Sequence, residues 1–308
     1  MAAPTGSRVR NQGWRAPTPI PRVAAIRYLA WMISQPSPAS PETPAMGGGL
    51  ARALRYLYRV PFLLWHILVD LPVTLLLMLP PWGNLEFGGS RLDHLAVRAW
   101  SSGLLRVFGF RLVRIGSPVP AATLFVANHV SWVDIVTLHS QRMMGFVAKR
   151  EIASWPLVGW LATRGETIFH QRGSTESLGG VLQVMLARLR TGHSVGVFPE
   201  GRTGHGDEVG PFHARIFLAA VEAGAPVQPV ALRYGANASA QTVVAFRPRE
   251  NFLANFLRLI GEPARVVEVV FLQPIVPGDA QGRRRIAELA RARIVEAMGG
   301  EPEPAATP

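Results

Sequence analysis

The sequence predicts an α/β protein: a central, mostly parallel or mixed sheet flanked by helices, preceded by an N-terminal helical segment that anchors to a membrane. Three observations carry this prediction. From about residue 110, short apolar runs rich in β-branched and aromatic residues alternate with helical stretches, the rhythm of a sheet with crossover helices. Between Leu50 and Leu79 the chain is apolar over the roughly 20 residues that a hydrocarbon core requires. Finally, 48% of the 308 residues are hydrophobic and only 17% are charged, too apolar for a disordered chain and enough for one sizeable core or two modest ones.

Residues 1–45 are rich in Pro, Ala, Ser and Thr, with Arg8, Arg10, Arg15, Arg22 and Arg27 against Glu42 as the only acid. This composition builds no core. It reads either as a disordered basic arm for an anionic bilayer or as a leader upstream of a true start at Met46. Residues 46–100 form the membrane-associating segment. Arg52, Arg55 and Arg59 precede its apolar run, Arg91 and Arg98 follow it, and Asp70 and Pro72 sit at its centre. An acid there costs roughly 2.5–3.5 kcal/mol, and a single span would leave one basic flank outside. A monotopic or re-entrant helix pair that breaks near Pro72 is therefore expected in preference to a single pass. Trp100 to Arg114 continues as a basic amphipathic stretch suited to a membrane surface.

The α/β domain is placed at 101–300, with a frayed tail at 301–308. Its expected strands are Phe110–Ile115, Thr123–Ala127, Gly145–Ala148, Thr167–His170, Ser194–Phe198, Val227–Ala231, Thr242–Phe246 and Val266–Leu272. Helices are expected near Trp132–Ser140, Ser177–Arg190, His213–Ala223 and Arg283–Met298. The net charge of +12, from 32 basic and 20 acidic residues, points to anionic partners. The arginines are dispersed, with no basic run interleaved with aromatics, so no nucleic acid is expected. The absence of cysteine excludes disulfides, thiolate nucleophiles and Cys-based metal sites. Lys149 is the only lysine.

The strongest local signal is Val126-Ala-Asn128-His129-Val-Ser131-Trp-Val-Asp134, where a strand ends and a helix begins. On one continuous helix His129 and Asp134 would stand about 140° apart and would not meet. With His129 in the turn before the helix, a first-turn carboxylate reaches back to one imidazole nitrogen and leaves the other as a general base. A capping box, Ser131-Trp-Val-Asp134, is the purely structural reading of the same residues. Three further stretches follow in order. Gly165-Glu-Thr-Ile-Phe-His-Gln-Arg172-Gly173 ends a strand on an arginine. Ser194-Val-Gly-Val-Phe-Pro-Glu200-Gly201-Arg202-Thr203-Gly204 presents an acid and a base on a Pro/Gly turn. Ala225-Pro-Val-Gln-Pro-Val-Ala231 is a strand bracketed by prolines.

These four blocks in this order resemble the signature of the glycerolipid acyltransferase superfamily, with the bacterial 1-acyl-glycerol-3-phosphate acyltransferases most similar in appearance. The resemblance covers about residues 90–275. It implies that His129 is the general base, oriented by Asp134, and that the acceptor hydroxyl attacks the thioester of an acyl-CoA or acyl-carrier protein without an acyl-enzyme. It further implies that Arg172 and Arg202 bind the acceptor phosphate and that Glu200 meets the glycerol portion or positions an arginine. On the same footing Gly201 and the Thr203-Gly204 turn offer amides to an anion, and Lys149, in Ala-Lys149-Arg-Glu151, contributes to acceptor binding. No resident cofactor and no metal is expected, since His205, Asp207 and His213 fit no ligand spacing. The partners implied are a lysophospholipid acceptor, the acyl donor and membrane lipids, at the cytosolic face of a bacterial inner membrane.

This sequence departs from the family pattern in Gly201-Arg202-Thr203 for Gly-Thr-Arg, in Glu166 and Phe-His-Gln-Arg172 of the second block, and in Phe212-His213 for Phe-Lys. The departures leave the His/Asp pair intact and open the acceptor head group, so that lyso-ornithine lipid or another lysolipid is the alternative to 1-acyl-glycerol-3-phosphate. A basic membrane- or nucleic-acid-binding protein is the non-enzymatic alternative.

Overall fold

The computed structural model describes residues 47–299 apart from 156–157, 172–174, 279 and 281. The leader 1–45, Met46 and the tail 301–308 therefore lie outside the described residues. The first element is a long helix: α1 (Gly47–Trp65), a π-helical turn (His66–Asp70) and α2 (Leu71–Leu77) follow without a break. The expected break near Pro72 does not occur. Pro72 falls in the first turn of α2, directly after the wide π turn, where a missing N–H is tolerated. The π turn adds one residue and keeps one face inward, so Arg59, Leu63, His66, Leu71 and Thr74 are all buried. The helix ends at Leu77, and a short β1–β2 hairpin (Glu86–Phe87, Ser90–Arg91) leads into α3 (Leu92–Val107).

Residue 100 lies in the middle of α3, so the expected boundary at 100/101 divides a helix. The described chain from Gly47 onward is one compact unit. The stretch Trp100–Arg114 is also not a surface helix. α3 stops at Val107, β3 (Phe110–Ile115) begins three residues later, and Leu104, Leu105 and Phe108 are core residues.

Seven strands form the sheet, in the order β3-β9-β8-β4-β7-β5-β6. They are β3, β4 (Leu124–Ala127), β5 (Gly145–Lys149), β6 (Ile168–His170), β7 (Val195–Val197), β8 (Val227–Tyr234) and β9 (Arg265–Phe271). Strands β4 to β8 run parallel; β9 is antiparallel to β8, and β3 parallels β9. The sheet is mixed, as expected. Its central strands β4 and β7 are buried throughout, which is why they read as continuous apolar runs. Alternate residues of β4 enter different cores. Phe125 and Ala127 pack with α3, α4 (Val133–His139) and α9 (Phe252–Ile260), while Leu124 and Val126 pack with α6 (Thr175–Arg190), α7 (Leu218–Ala223) and α10 (Gly282–Ala297). The result is a three-layer α/β/α arrangement.

The expected strand Thr242–Phe246 is instead the helical turn α8 (Gln241–Val244). Gln241 accepts from Tyr234 N at 2.7 Å and donates to Leu232 O at 3.0 Å, holding the chain in a turn across the end of β8. Two helices lay outside the expected set: α5 (Val158–Arg164) and α9. α9 starts at Asn251, whose side chain accepts from Ala254 N. Its last carbonyls, and one in the turn that follows, are met from α1. Arg59 donates to Ile260 O and Glu262 O at 2.8 and 2.7 Å, and Tyr56 donates to Leu257 O at 2.6 Å.

Candidate active site

Because β4 to β8 are parallel, their carboxyl ends share one edge of the sheet, the place where open α/β sheets bind ligands. β4 ends at Ala127. Asn128 then pins the turn to β8 by exchanging hydrogen bonds with Leu232, Oδ1 accepting from Leu232 N at 2.9 Å and Nδ2 donating to Leu232 O at 3.0 Å. His129 follows in that turn and Asp134 sits in the first turn of α4. His129 Nδ1 lies 2.7 Å from Asp134 Oδ2, which also accepts from Val130 N at 2.7 Å and Ser131 N at 2.9 Å. The capping and the reaching-back readings are therefore one arrangement: the carboxylate that ties down the helix start also orients the imidazole. Asp134 Oδ1 accepts from the Tyr234 hydroxyl at 2.5 Å. Asp134 is fully buried, and the His129 side chain is 16% exposed, so the ring shows one edge to solvent.

The imidazole lies flat on Phe198, with centroids 3.9 Å apart, and Phe198 stacks in turn on Phe146. Glu200 occupies the turn after β7. Its Oε1 accepts from His129 N and its Oε2 from Gly210 N, both at 2.9 Å. Burial raises the Glu200 pKa above the usual carboxylate range, opposed by those two N–H donors. The 200–210 loop also grips His129 from the other side, since Gly204 N donates to His129 O at 2.7 Å.

Glu200 is engaged by the backbone amides of His129 and Gly210. Gly201 N donates to Phe198 O at 3.0 Å and Gly204 N to His129 O, so these amides shape the turn and are not offered to an anion. Gly201 has φ +70°, where a side chain is strained, and a Cβ there would stand a tight 3.1 Å from the His213 ring, so glycine is favoured. Arg202 is exposed and Thr203 half-buried on the same turn. Lys149 is exposed at the carboxyl end of β5, in register with His170 of β6. Arg172 lies outside the described residues. Beside His129 opens a cavity of about 380 Å³ whose lining includes Asn128, Glu200, Asp207, Glu208 and Arg291. Arg291 donates to Gly210 O and Val209 O, each at 2.9 Å. Phe198 and Tyr234 had no role assigned from sequence. Phe198 stands just before Pro199-Glu200, but nothing in local spacing connects Tyr234 to Asp134, one hundred residues away.

A family model described as Acyltransferase matches residues 113–233, from β3 through β8. The lyso-ornithine lipid O-acyltransferase of Pseudomonas aeruginosa is 34% identical over 68% of this chain and 81% of its own. That of Rhodobacter capsulatus is 30% identical over 87% of this chain and 97% of its own. The 1-acyl-sn-glycerol-3-phosphate acyltransferase of Neisseria gonorrhoeae is 38% identical over 49% of this chain and 60% of its own. The crystal structure of the 1-acyl-sn-glycerophosphate acyltransferase of Thermotoga maritima superposes with a TM-score of 0.61 over 82% of this chain and 96% of that one, at 18% identity, and so shares the fold. The chain belongs to the glycerolipid acyltransferase family, and it is an acyltransferase.

Proposed function

We propose that the protein moves a fatty acyl chain from a thioester donor to the free hydroxyl of a lysophospholipid, with 1-acyl-glycerol-3-phosphate as the acceptor and phosphatidic acid as the product. The observation that carries this reading is the His129–Asp134 pair at the carboxyl edge of the sheet, in a chain of this family. Asp134 takes Nδ1 and leaves Nε2 as the base. Nε2 removes the hydroxyl proton as the oxygen attacks the thioester carbonyl. Asp134 stabilises the imidazolium that forms. Collapse of the tetrahedral adduct breaks the C–S bond, and the imidazolium returns its proton to the departing thiolate. Glu200 keeps the His129 backbone in place throughout. Lys149, Arg172, Arg202 and Thr203 would meet the acceptor's anionic head group. Acyl-CoA and acyl-carrier protein both present the required thioester, and no resident cofactor enters the chemistry.

Lyso-ornithine lipid is the second acceptor. Two observations favour it: the relatives of which this chain covers 81% and 97% bear that name, and Asp207 and Glu208 line the cavity beside His129, where they suit an ammonium better than a phosphate.

The same reading places the enzyme on the cytosolic face of a bacterial inner membrane. The Gly49–Leu77 helix is long and apolar enough to cross a bilayer. It is nevertheless tied to the domain along its length, through Arg59 to the end of α9 and through His66, which bridges Asp70 and Trp100 O at 2.8 and 2.9 Å. Its other face exposes Leu50, Leu54, Leu57, Phe62, Trp65 and Leu68. That geometry supports a monotopic helix lying in the interface, where the lysolipid's own chain remains in lipid.

The test is acyl transfer in membranes containing the full chain, wild type beside His129→Ala. Labelled acyl-CoA and acyl-carrier protein are offered with 1-acyl-glycerol-3-phosphate and, in parallel, lyso-ornithine lipid. Product from the first acceptor that disappears in the variant is expected. Product from the second acceptor alone selects the alternative, and an undiminished variant overturns the base assignment.

A further inference from the structure

Strand β8 runs four residues past its pairing with β4, which ends at Ala127↔Val230. That overrun carries Tyr234 beneath the His129 turn. The tyrosine is fully buried, its ring tilts against Phe110 at 5.9 Å, and its backbone N–H is held by Gln241. Its hydroxyl donates to Asp134 Oδ1 at 2.5 Å, whereas the His129 ring and the amides of Val130 and Ser131 all converge on Oδ2.

We propose that Tyr234 is a positioning residue for acyl transfer, whose hydroxyl, bonded to the Asp134 carboxylate, sets how strongly that carboxylate acts on His129. The proposal rests on His129 being the base. The helix start needs only Oδ2, and phenylalanine would fill the same space, so Tyr234→Phe removes the bond to Oδ1 and the contact with the Thr137 hydroxyl and little else. A buried carboxylate oxygen without a donor is costly, while Oδ2 stays held by the imidazole and two amides, so the loss falls on the charge of the carboxylate that faces His129. The hydroxyl also draws charge from the carboxylate, which moderates its hold on the imidazolium and keeps His129 ready to release its proton to the thiolate. Burial and the nearby Asp134 charge push the phenol's pKa well up, so Tyr234 remains a donor throughout the working range. The other groups facing the pair are Glu200, from the loop after β7, and the Thr137 hydroxyl, from α4.

Tyr234→Phe in the full-length protein tests this. Expected are a kcat lower by roughly 10- to 100-fold with both KM values within about twofold, as for the loss of one hydrogen bond to a charged group. The acid limb of the kcat/KM profile should move up by about one pH unit, because a carboxylate without its donor holds the imidazolium more tightly. A second variant places 3,5-difluorotyrosine at position 234, which keeps the packing and donates more strongly. It should move the same limb down. An unchanged kcat and limb in Tyr234→Phe, with the wild type active and His129→Ala inactive, overturns the proposal. Movement of the limb in one direction by both variants also overturns it, since only packing would act so. A His129→Ala protein as active as wild type removes the base assignment itself and the proposal with it.

Discussion

Replacing Glu250 by glutamine removes a charge and leaves the shape. Glu250 receives four donors at the start of α9. Arg258 Nε reaches Oε1 at 2.7 Å, and Arg258 Nη2, Asn255 Nδ2 and Arg247 N each reach Oε2 at 2.9 Å. The Arg258 guanidinium first, then the Arg247 amide and Asn255, hold the carboxyl at about 2 against an ordinary 4.5, with burial opposing. A carboxyl so depressed stabilises the fold above its ordinary value, and that stability is lost as the pH falls towards about 2. The full gap corresponds to roughly 3 kcal/mol. The two side chains are only 8% and 6% exposed, but neighbouring Arg249 is open to solvent, and screening near the surface leaves roughly 2 kcal/mol. In detergent at pH 7, Glu250→Gln should therefore melt about 4–8 °C below wild type. At pH 3 the difference should shrink by more than half, because unfolded Glu250 is then protonated in the wild type while other carboxyls titrate alike in both proteins. A difference that stays constant between pH 7 and pH 3, or that is absent at pH 7, refutes the reasoning.

Asp134→Asn keeps an oxygen for the three donors at Oδ2 but removes the charge opposite the imidazolium; kcat should fall by roughly 10³–10⁴ with the acceptor KM little changed, and near-normal turnover would remove Asp134 from the chemistry. Glu200→Ala leaves the buried N–H groups of His129 and Gly210 without their acceptor, at about 1–3 kcal/mol each. Acyl transfer should drop at least about tenfold, and limited proteolysis should find the 200–210 loop more readily; unchanged cleavage and activity would count against the clasp. Placing glutamates at Leu57, Phe62 and Leu68 together should move the protein from the membrane pellet to the supernatant while its melting point changes little, because all three are exposed. Retention in the pellet would show that the membrane reads another surface.

The sheet was legible because its central strands are covered on both faces, so each appears as an unbroken apolar run between turns. What misled the reading were places where a side chain overrides local propensity. Thr242–Phe246 has β-type residues, but the Gln241 amide engages β8 and curls the chain into a helical turn. Pro72 looked like a break because a regular helix loses a bond there; the π turn before it accommodates the proline. α9 was readable in principle from Asn251 as its cap and Gly261 after its last residue. Its nine residues from Phe252 to Ile260 are mostly apolar, with Leu253 and Leu257 facing outward, and so short an apolar run is not told from a buried strand by periodicity alone.

At the site, legibility followed sequence distance. His129 and Asp134 are five residues apart, and helix geometry alone limits how they can meet. The part played by Glu200 depends on which of its neighbours supplies N–H groups, and two of those come from segments 71 and 10 residues away. Motif order places an acid there but does not say that its partners are backbone amides. Tyr234 stands further still from such a reading. Its contact with Asp134 exists because β8 is the neighbour of β4 and overruns it, and strand order is a property of the assembled sheet. The same adjacency explains Asn128, which binds both the N–H and the C=O of Leu232 on that strand. Leu232, through Asn128, and Tyr234, through Asp134, therefore grip the His129 turn from below at two points, two residues apart on β8. The turn that presents the imidazole is thus fixed by the sheet beneath it as much as by its own residues, which is why an active site readable from four short motifs still depends on a tyrosine outside all of them.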